Sequence, residues 1–484
     1  MIDALIHSLK KQLSQLEIKI QQEKSHYDYI SLQVPLKESV LLSVVHFCDS
    51  FFLSQPDSGF TLLGLDSLLT FEAKGEQRFN TIKSDFSDII NRWYKDKNDK
   101  QGSPIAFLAF AFDEDDAMND HWQSLPNSLL TIPRLLIREN NSSQSLIVNI
   151  KLEEASYNTS FSIIEILLQQ LFSQALTTTD KMQHSSVAAS FTTNDKQPLS
   201  AYKSWQSLTH NAINDIQSGK FDKLVTSRQN TLQTSTEISI PQLVKKLIRY
   251  YPSCSILSYH MQDKTIVAAS PEQFLSLHHP DIQSNAIGGT ISRNNSSKNQ
   301  ANSKTSDKNA TPLPFFLKQA TEQTNDEFAE SKKLLKEHHF ISQSIYQNLD
   351  PLCHTLKMPI SPFLMKLHNL YHLETPVQGT LSDNYDIFDC INALHPTPAV
   401  AGIPTQTAKQ WLLDNEGYHR GWYTGAFGWI DATMNGDLSV LLRCALIDKK
   451  EITLFSGAGL VAESDPDAEW QETELKMQTI MEML

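Results

Sequence analysis

Residues 452–476 constrain the fold more tightly than any other stretch. Ile452 to Phe455 is a short apolar strand, followed by Ser456-Gly457-Ala458-Gly459. Two glycines there predict a turn where a ligand can approach the backbone. Asp465 and Pro466 then supply a helix cap and a first helical residue. Inside that helix Glu469, Glu472 and Lys476 recur at i, i+3 and i+7 and so share one face. Two carboxylates and an ammonium beside a glycine turn suit a hard cation and an anionic ligand held together. Read alone, the same spacing also describes a solvated face with an internal ion pair. The upstream segments decide between these readings.

The chain has 484 residues, room for two or three ordinary domains or one large duplicated one. With 40% hydrophobic and 20% charged residues it is globular in composition. A net charge of −14 argues against nucleic acid as a partner. An anionic substrate would therefore need a local cluster of Lys, Arg or metal. Cys48, Cys254, Cys353, Cys390 and Cys444 are far apart and form no C-x-x-C pair, which predicts neither disulfides nor a zinc site and fits a reducing cytoplasm. No apolar run is long enough to span a membrane, and the N-terminus with Asp3 has no export pattern.

The first 24 residues read as an amphipathic helix whose seam is Ile2, Ile6, Leu9, Leu13, Leu16 and Ile20. The seam is shorter than three heptads, so docking on the protein's own body is favoured over a coiled coil with a partner. Residues 25–176 form a first half with strands Val40–Phe47, Ile105–Phe110 and Leu146–Ile150, and a helix from Ser162 to Leu176. No catalytic constellation occurs in it. Residues 177–200, rich in Ser, Thr, Gln and Asp, are expected to be a linker or surface loop.

Residues 201–484 carry the chemistry-bearing segments. After a helix (Ala201–Ser218), the strand Asp222–Arg228 puts Lys223, Val225 and Ser227 on one face. Such a lysine usually snorkels or meets a carboxylate. A helix Pro241–Tyr250 and strands Ser255–Tyr259 and Thr265–Ser270 lead to Pro271, which breaks the chain before Glu272. Phe274 and Leu275 beside it favour a raised pKa, suited to a general acid, although turn carboxylates are commoner. Ile287-Gly288-Gly289-Thr290 reads as a second glycine turn, and Ser292–Thr311 as a mobile segment. A helix over Glu327–Leu349 carries Glu337 on the stripe of Leu334, Ile341 and Ile345, where it needs a cation, metal or ammonium alike. Arg443 lies within an apolar strand, Val440–Ala445, where an unpaired guanidinium would be costly, and calls for a bidentate carboxylate. His395, before a proline, more often serves as a structural hydrogen bonder.

Taken together, Asp222–Arg228, Ser270-Pro271-Glu272, Gly289-Thr290, Glu337-His338, Leu394–Gly402, Arg420–Gly428, Arg443-Cys444-Ala445 and Phe455–Lys476 resemble the chorismate-utilising enzymes. That family includes isochorismate, salicylate, anthranilate and aminodeoxychorismate synthases. The resemblance is close over residues 200–484 and general in layout before them. It implies an α+β, duplicated anthranilate-synthase-like fold: two antiparallel sheets packed near-orthogonally with helices outside. Ammonia users of the family carry glutamine at the strand-lysine position; Lys223 is similar to the water users, specifically isochorismate synthases of the menaquinone-pathway type. The resemblance implies Mg²⁺ as cofactor, held by Glu337 and Glu472 with Glu469 direct or through water. It implies Lys223 as the base activating water for attack at C2 of chorismate, and Glu272 as the acid protonating the hydroxyl leaving C4. Arg443, Lys476 and the Gly457-Ala458-Gly459 amides would hold substrate carboxylates, with Gly289, Thr290 and His395 lining the site. Gly288 stands where the family commonly has Ala, and Leu334 where it is usually polar. No glutaminase subunit, nucleic acid or membrane is expected as partner, and the chain is expected to be a monomer or homodimer. The rival readings are a salicylate synthase, which goes on to eliminate pyruvate, and a non-catalytic scaffold of the same family.

Overall fold

The structure is a computed structural model that describes residues 2–23, 27–36, 49–95, 103–141, 143–152, 157–181, 191–192, 197–292, 325–366 and 370–484. The N-terminal helix Ile2–Glu23 follows its seam: Ile6, Leu9 and Leu13 are buried in one cluster with Ile30, Leu32 and Val34. Those last three alternate along strand Tyr29–Leu36, so period two in the strand meets period 3.6 in the helix. The helix therefore docks on the protein's own body, as its short seam predicts.

The described strands form one hydrogen-bonded system, and every pairing is antiparallel except that of Tyr29–Leu36 with Trp93–Tyr94. The two halves interlock. Strand Ser50–Gln55 pairs with Ser255–Met261, and Ile105–Phe110 with Ala426–Asp431. Helices cover two of the three apolar clusters. The third is strand packed on strand and rich in rings, with Phe51 stacked on Tyr259 at 4.4 Å and Tyr259 on Trp422 at 5.4 Å.

Several local readings change. Gly457 to Gly459 make no turn: strand Glu451–Leu460 runs straight through them, paired with Lys223–Thr234. Gly288-Gly289 is also no turn but a bulge in strand Asp281–Ser292, where the register against Leu370–Leu381 shifts and Gly289 takes φ 70°. Arg443 lies between strands, after Gly436–Val440 and before Cys444–Asp448, at φ 48°. Within the expected linker, the helix Tyr157–Lys181 runs past residue 176, Phe191–Thr192 pairs with Gln233–Thr234, and the next helix begins at Gln197. The expected strand Val40–Phe47, residues 293–311 of the expected mobile segment, and Cys48 lie outside the described residues. Cys254, Cys353, Cys390 and Cys444 are free thiols. Among the described residues no helix is long and apolar enough to cross a membrane.

Candidate active site

One cavity, with an empty volume of about 720 Å³ including its mouth, collects Lys223, Glu272, Gly289, Glu337, Arg443, Gly457, Gly459, Glu472 and Lys476. Lys223 opens strand Lys223–Thr234, is 1% exposed, and sets Nζ 3.0 Å from Glu337 Oε1. Helix Asn325–Leu349 delivers Glu337 because Ile341 and Ile345, one and two turns on, are fully packed. Gly459 faces this pair. A Cβ there would stand 2.3 Å from Glu337 Oε1 and 3.0 Å from Lys223 Cε, so any side chain would push the carboxylate away from its place beside the lysine.

The glycine strand also presents backbone. Ser227 N–H donates to Glu416 and Val225 N–H to the Ala401 carbonyl, both away from the strand Glu451–Leu460. Opposite residues in an antiparallel ladder exchange both bonds or neither. Gly457, opposite Ser227, and Gly459, opposite Val225, therefore turn their N–H groups to the strand's other edge. On that edge Lys476 Nζ donates to the Gly457 carbonyl at 2.9 Å and meets Glu472 Oε1 at 2.7 Å. Asp465 caps this last helix, Pro466–Met481, by accepting from the Asp467 and Ala468 amides. Arg228 fastens it to the lysine strand: Nε donates to Thr473 Oγ1 at 2.8 Å, Nη2 to Glu474, and the guanidinium lies 3.7 Å over the Trp470 ring.

Glu272 follows Pro271 at the end of strand Lys264–Ser270 and is 4% exposed. Burial pushes its carboxyl up to about 8, opposed by the charges of Lys223 and Lys476. It is therefore largely protonated near neutral pH. Lys223, Arg443 and Lys476 then share the cavity with the carboxylates of Glu337 and Glu472, so basic side chains gather there in a chain of charge −14. Arg443 Nη2 meets His372 Nε2 at 2.6 Å, and His372 Nδ1 lies 3.3 Å from the Gly289 carbonyl. Burial, reinforced by Arg443 and Lys476, holds His372 well below the usual imidazole range. The neutral ring thus donates from Nδ1 and accepts at Nε2. Arg443 Nη1 is buried without a partner, a costly arrangement that an anionic ligand would relieve.

Among the described residues no group of three His, Cys, Asp or Glu side chains gathers as a metal centre. Two carboxylates, Glu337 and Glu472, face the cavity, and no softer donor accompanies them except a His372 already bonded to Arg443. That oxygen set fits Mg²⁺, which takes one or two carboxylates and fills its remaining positions with water and substrate oxygen. Glu469 is 3% exposed but does not line the cavity.

Two further expectations fail on geometry. His395 is walled in by Phe79, Phe110 and Phe274, its Nε2 3.0 Å from the Phe112 carbonyl, and does not reach the cavity. Ala458, opposite Thr226, alternates with Gly457 and Gly459 in the ladder, so its N–H turns toward the strand Lys223–Thr234 and not toward the cavity edge. Thr290 pairs with His372 through its backbone, and its side chain lies outside those described. Sequence reading missed His372 and Tyr423 as wall residues. His372 had a period-two cue in its strand, but its bond to Arg443 depends on the bulge at Gly289, which no spacing announces. Leu334 packs on Gly289 rather than bearing on Glu337, whose partner is Lys223.

The missing methyl at Gly288 is also answered. A Cβ there would meet Ile341 Cδ1 at 2.5 Å, so the isoleucine occupies the space an alanine would need. Gly288→Ala should cost about 1–3 kcal/mol by overpacking. Ile341→Val in the same chain should recover at least half of it. Thermal denaturation of the single and double variants checks this, and a single variant as stable as the parent would refute it.

The family-wide sequence profile of the chorismate binding enzymes matches residues 48–482. The isochorismate synthase MenF of Bacillus subtilis is 26% identical over 441 residues, covering 90% of this chain and 87% of that protein. The salicylate biosynthesis isochorismate synthase of Pseudomonas aeruginosa is 30% identical over 282 residues, 58% of this chain and 55% of that one. Among solved structures, the menaquinone-specific isochorismate synthase MenF from Escherichia coli superposes with a TM-score of 0.71 at 21% identity, covering 99% of this chain and all (100%) of that one. Anthranilate synthase component I from Streptococcus pneumoniae superposes at 0.63 with 16% identity, covering 87% and 92%. Both share the mixed helical and antiparallel fold. With the profile spanning nine-tenths of its length, the chain belongs to the chorismate binding enzyme family.

Proposed function

We propose that this protein is an isochorismate synthase, converting chorismate to isochorismate with Mg²⁺ bound. The observation that carries the reading is the meeting of a buried lysine and a protonated buried glutamic acid in one cavity. Lys223 takes a proton from a water attacking ring C2. Glu272 gives its proton to the hydroxyl leaving C4, so one water enters and one leaves. The acid role requires the protonated carboxyl, which burial supplies. Arg443 Nη1, Lys476 and the edge N–H groups of Gly457 and Gly459 receive the carboxylates, and Gly289 with His372 shapes the wall. Glu337 and Glu472 would hold Mg²⁺. The ion supplies charge neutralisation at the ring carboxylate. The product would feed menaquinone or siderophore synthesis, and the compartment expected for such an enzyme is the cytoplasm.

Purified protein incubated with chorismate and Mg²⁺ should yield isochorismate by chromatography, with neither salicylate fluorescence nor pyruvate. Salicylate with stoichiometric pyruvate would make it a salicylate synthase. No conversion, together with no calorimetric binding of chorismate, would leave the non-catalytic scaffold standing.

A further inference from the structure

The strand Lys223–Thr234 is hydrogen-bonded along one edge to Glu451–Leu460. Along its other edge, among the described residues, strand partners meet it only at the ends: Gly402–Ile403 beside Lys223 and Leu224, and Phe191–Thr192 beside Gln233 and Thr234. Between them the outward-turned backbone of Val225 and Ser227 is met chiefly by side chains. Glu416 Oε1 accepts from Ser227 N–H at 2.7 Å and from Ser227 Oγ at 2.8 Å. Arg420 Nη2 donates to the Val225 carbonyl at 2.7 Å. Glu416 and Arg420 are joined twice, Nη2 to Oε1 at 2.6 Å and Nε to Oε2 at 2.7 Å, with side chains 3% and 2% exposed. The guanidinium also donates to the Val400 carbonyl at 2.8 Å and to Thr424 Oγ1 at 3.3 Å, and lies 4.5 Å over the Phe112 ring.

We infer that the Glu416–Arg420 pair is a positioning device for Lys223: two side chains stand where a neighbouring strand would, and fix the lysine strand against the cavity wall. The pair never reaches the cavity. It acts through Val225 and Ser227, two and four residues from the base, and through Val400 and Thr424, which line the wall. A planar guanidinium forked onto a carboxylate sets angles as well as distances, which a lone charge cannot do. The buried pair leaves few lone pairs unmet, as a buried ion pair requires. This inference rests on the proposed role of Lys223, but its structural half does not.

The test uses the full chain with Glu416→Asp, which keeps the charge and shortens the reach by one methylene. The charge-free double variant Glu416→Gln/Arg420→Met serves alongside it, because it leaves no buried charge unpaired. Hydrogen exchange of a peptide covering residues 223–228 should quicken at least tenfold in Glu416→Asp, with the peptide covering Glu451–Phe455 unchanged. Turnover should drop at least thirtyfold, while KM for chorismate moves less than threefold, since Arg443 and Lys476 sit on other elements. Normal exchange at 223–228 in a folded variant would overturn the inference, as would a loss confined to melting temperature with kcat intact. Should the wild type itself fail to turn over chorismate, the proposed function falls, and the exchange measurement still decides whether this pair holds the strand.

Discussion

Lys223→Ala is expected to lower kcat by about 10³-fold or more, the upper part of what a positioned general base contributes, while the dissociation constant for chorismate changes less than about threefold. The separation follows from where the contacts sit. The groups proposed to receive the carboxylates are Arg443, Lys476 and the Gly457 and Gly459 amides, all on other segments of the chain. The lysine's own partner is Glu337 at 3.0 Å, a protein carboxylate. Removing a partner from a buried ion pair costs up to about 3–5 kcal/mol, and here less, because the Glu337 side chain keeps 12% exposure toward the cavity. The variant should therefore fold and bind but not turn over. Calorimetry and a chromatographic product assay on one preparation check both halves. Turnover within tenfold of the parent would remove Lys223 from the chemistry, and loss of binding along with turnover would mean that it holds the site rather than works in it.

What was legible beforehand, and what was not, divides along the range of the forces involved. The N-terminal helix could be read because Ile6, Leu9 and Leu13 obey one helical period against a strand of period two. The cap at Asp465 could be read because its partners, the amides of Asp467 and Ala468, lie two and three residues on. Both glycine pairs were misread as turns. Glycine announces a missing side chain, but whether the space serves a reversal or a neighbour depends on what packs opposite. At Gly459 that is Glu337 and at Gly288 it is Ile341, each remote in sequence. Arg443 was placed inside a strand because its flanks are apolar, although its φ of 48° breaks the strand and swings the guanidinium toward His372. His395 was assigned to the site by resemblance, whereas the surrounding Phe79, Phe110 and Phe274 rings make it a core residue. The Glu416–Arg420 pair is an ordinary i, i+4 spacing, and nothing local shows that it meets the edge of a strand nearly two hundred residues earlier.

Glu272→Gln should abolish measurable turnover and, unusually for an active-site change, make the protein more stable as the pH rises. Glutamine keeps the size of the side chain and can still donate a hydrogen bond, but it cannot transfer a proton to the departing hydroxyl. A positioned acid contributes about 10²–10⁴-fold, and hydroxide is a poor enough leaving group to put the loss near the top of that range. The stability effect comes from the same burial. The folded carboxyl sits at about 8 against an ordinary value of 4.5. Between those values the folded protein retains a proton that the unfolded chain has released. The stability this group contributes is complete below about 4.5 and is lost as pH rises toward 8, at roughly 1.4 kcal/mol per pH unit. The glutamine has no proton to lose and escapes that decline. Near pH 4.5 the two proteins should melt within about a degree of each other; by pH 8 the variant should melt higher by roughly 3–6 °C, as a few kcal/mol implies for a chain of this size. The parent's activity should fall above about pH 8 as the acid ionises. A difference in melting temperature that stays flat across this window would show that the carboxyl is not held protonated, and the acid role would go with it.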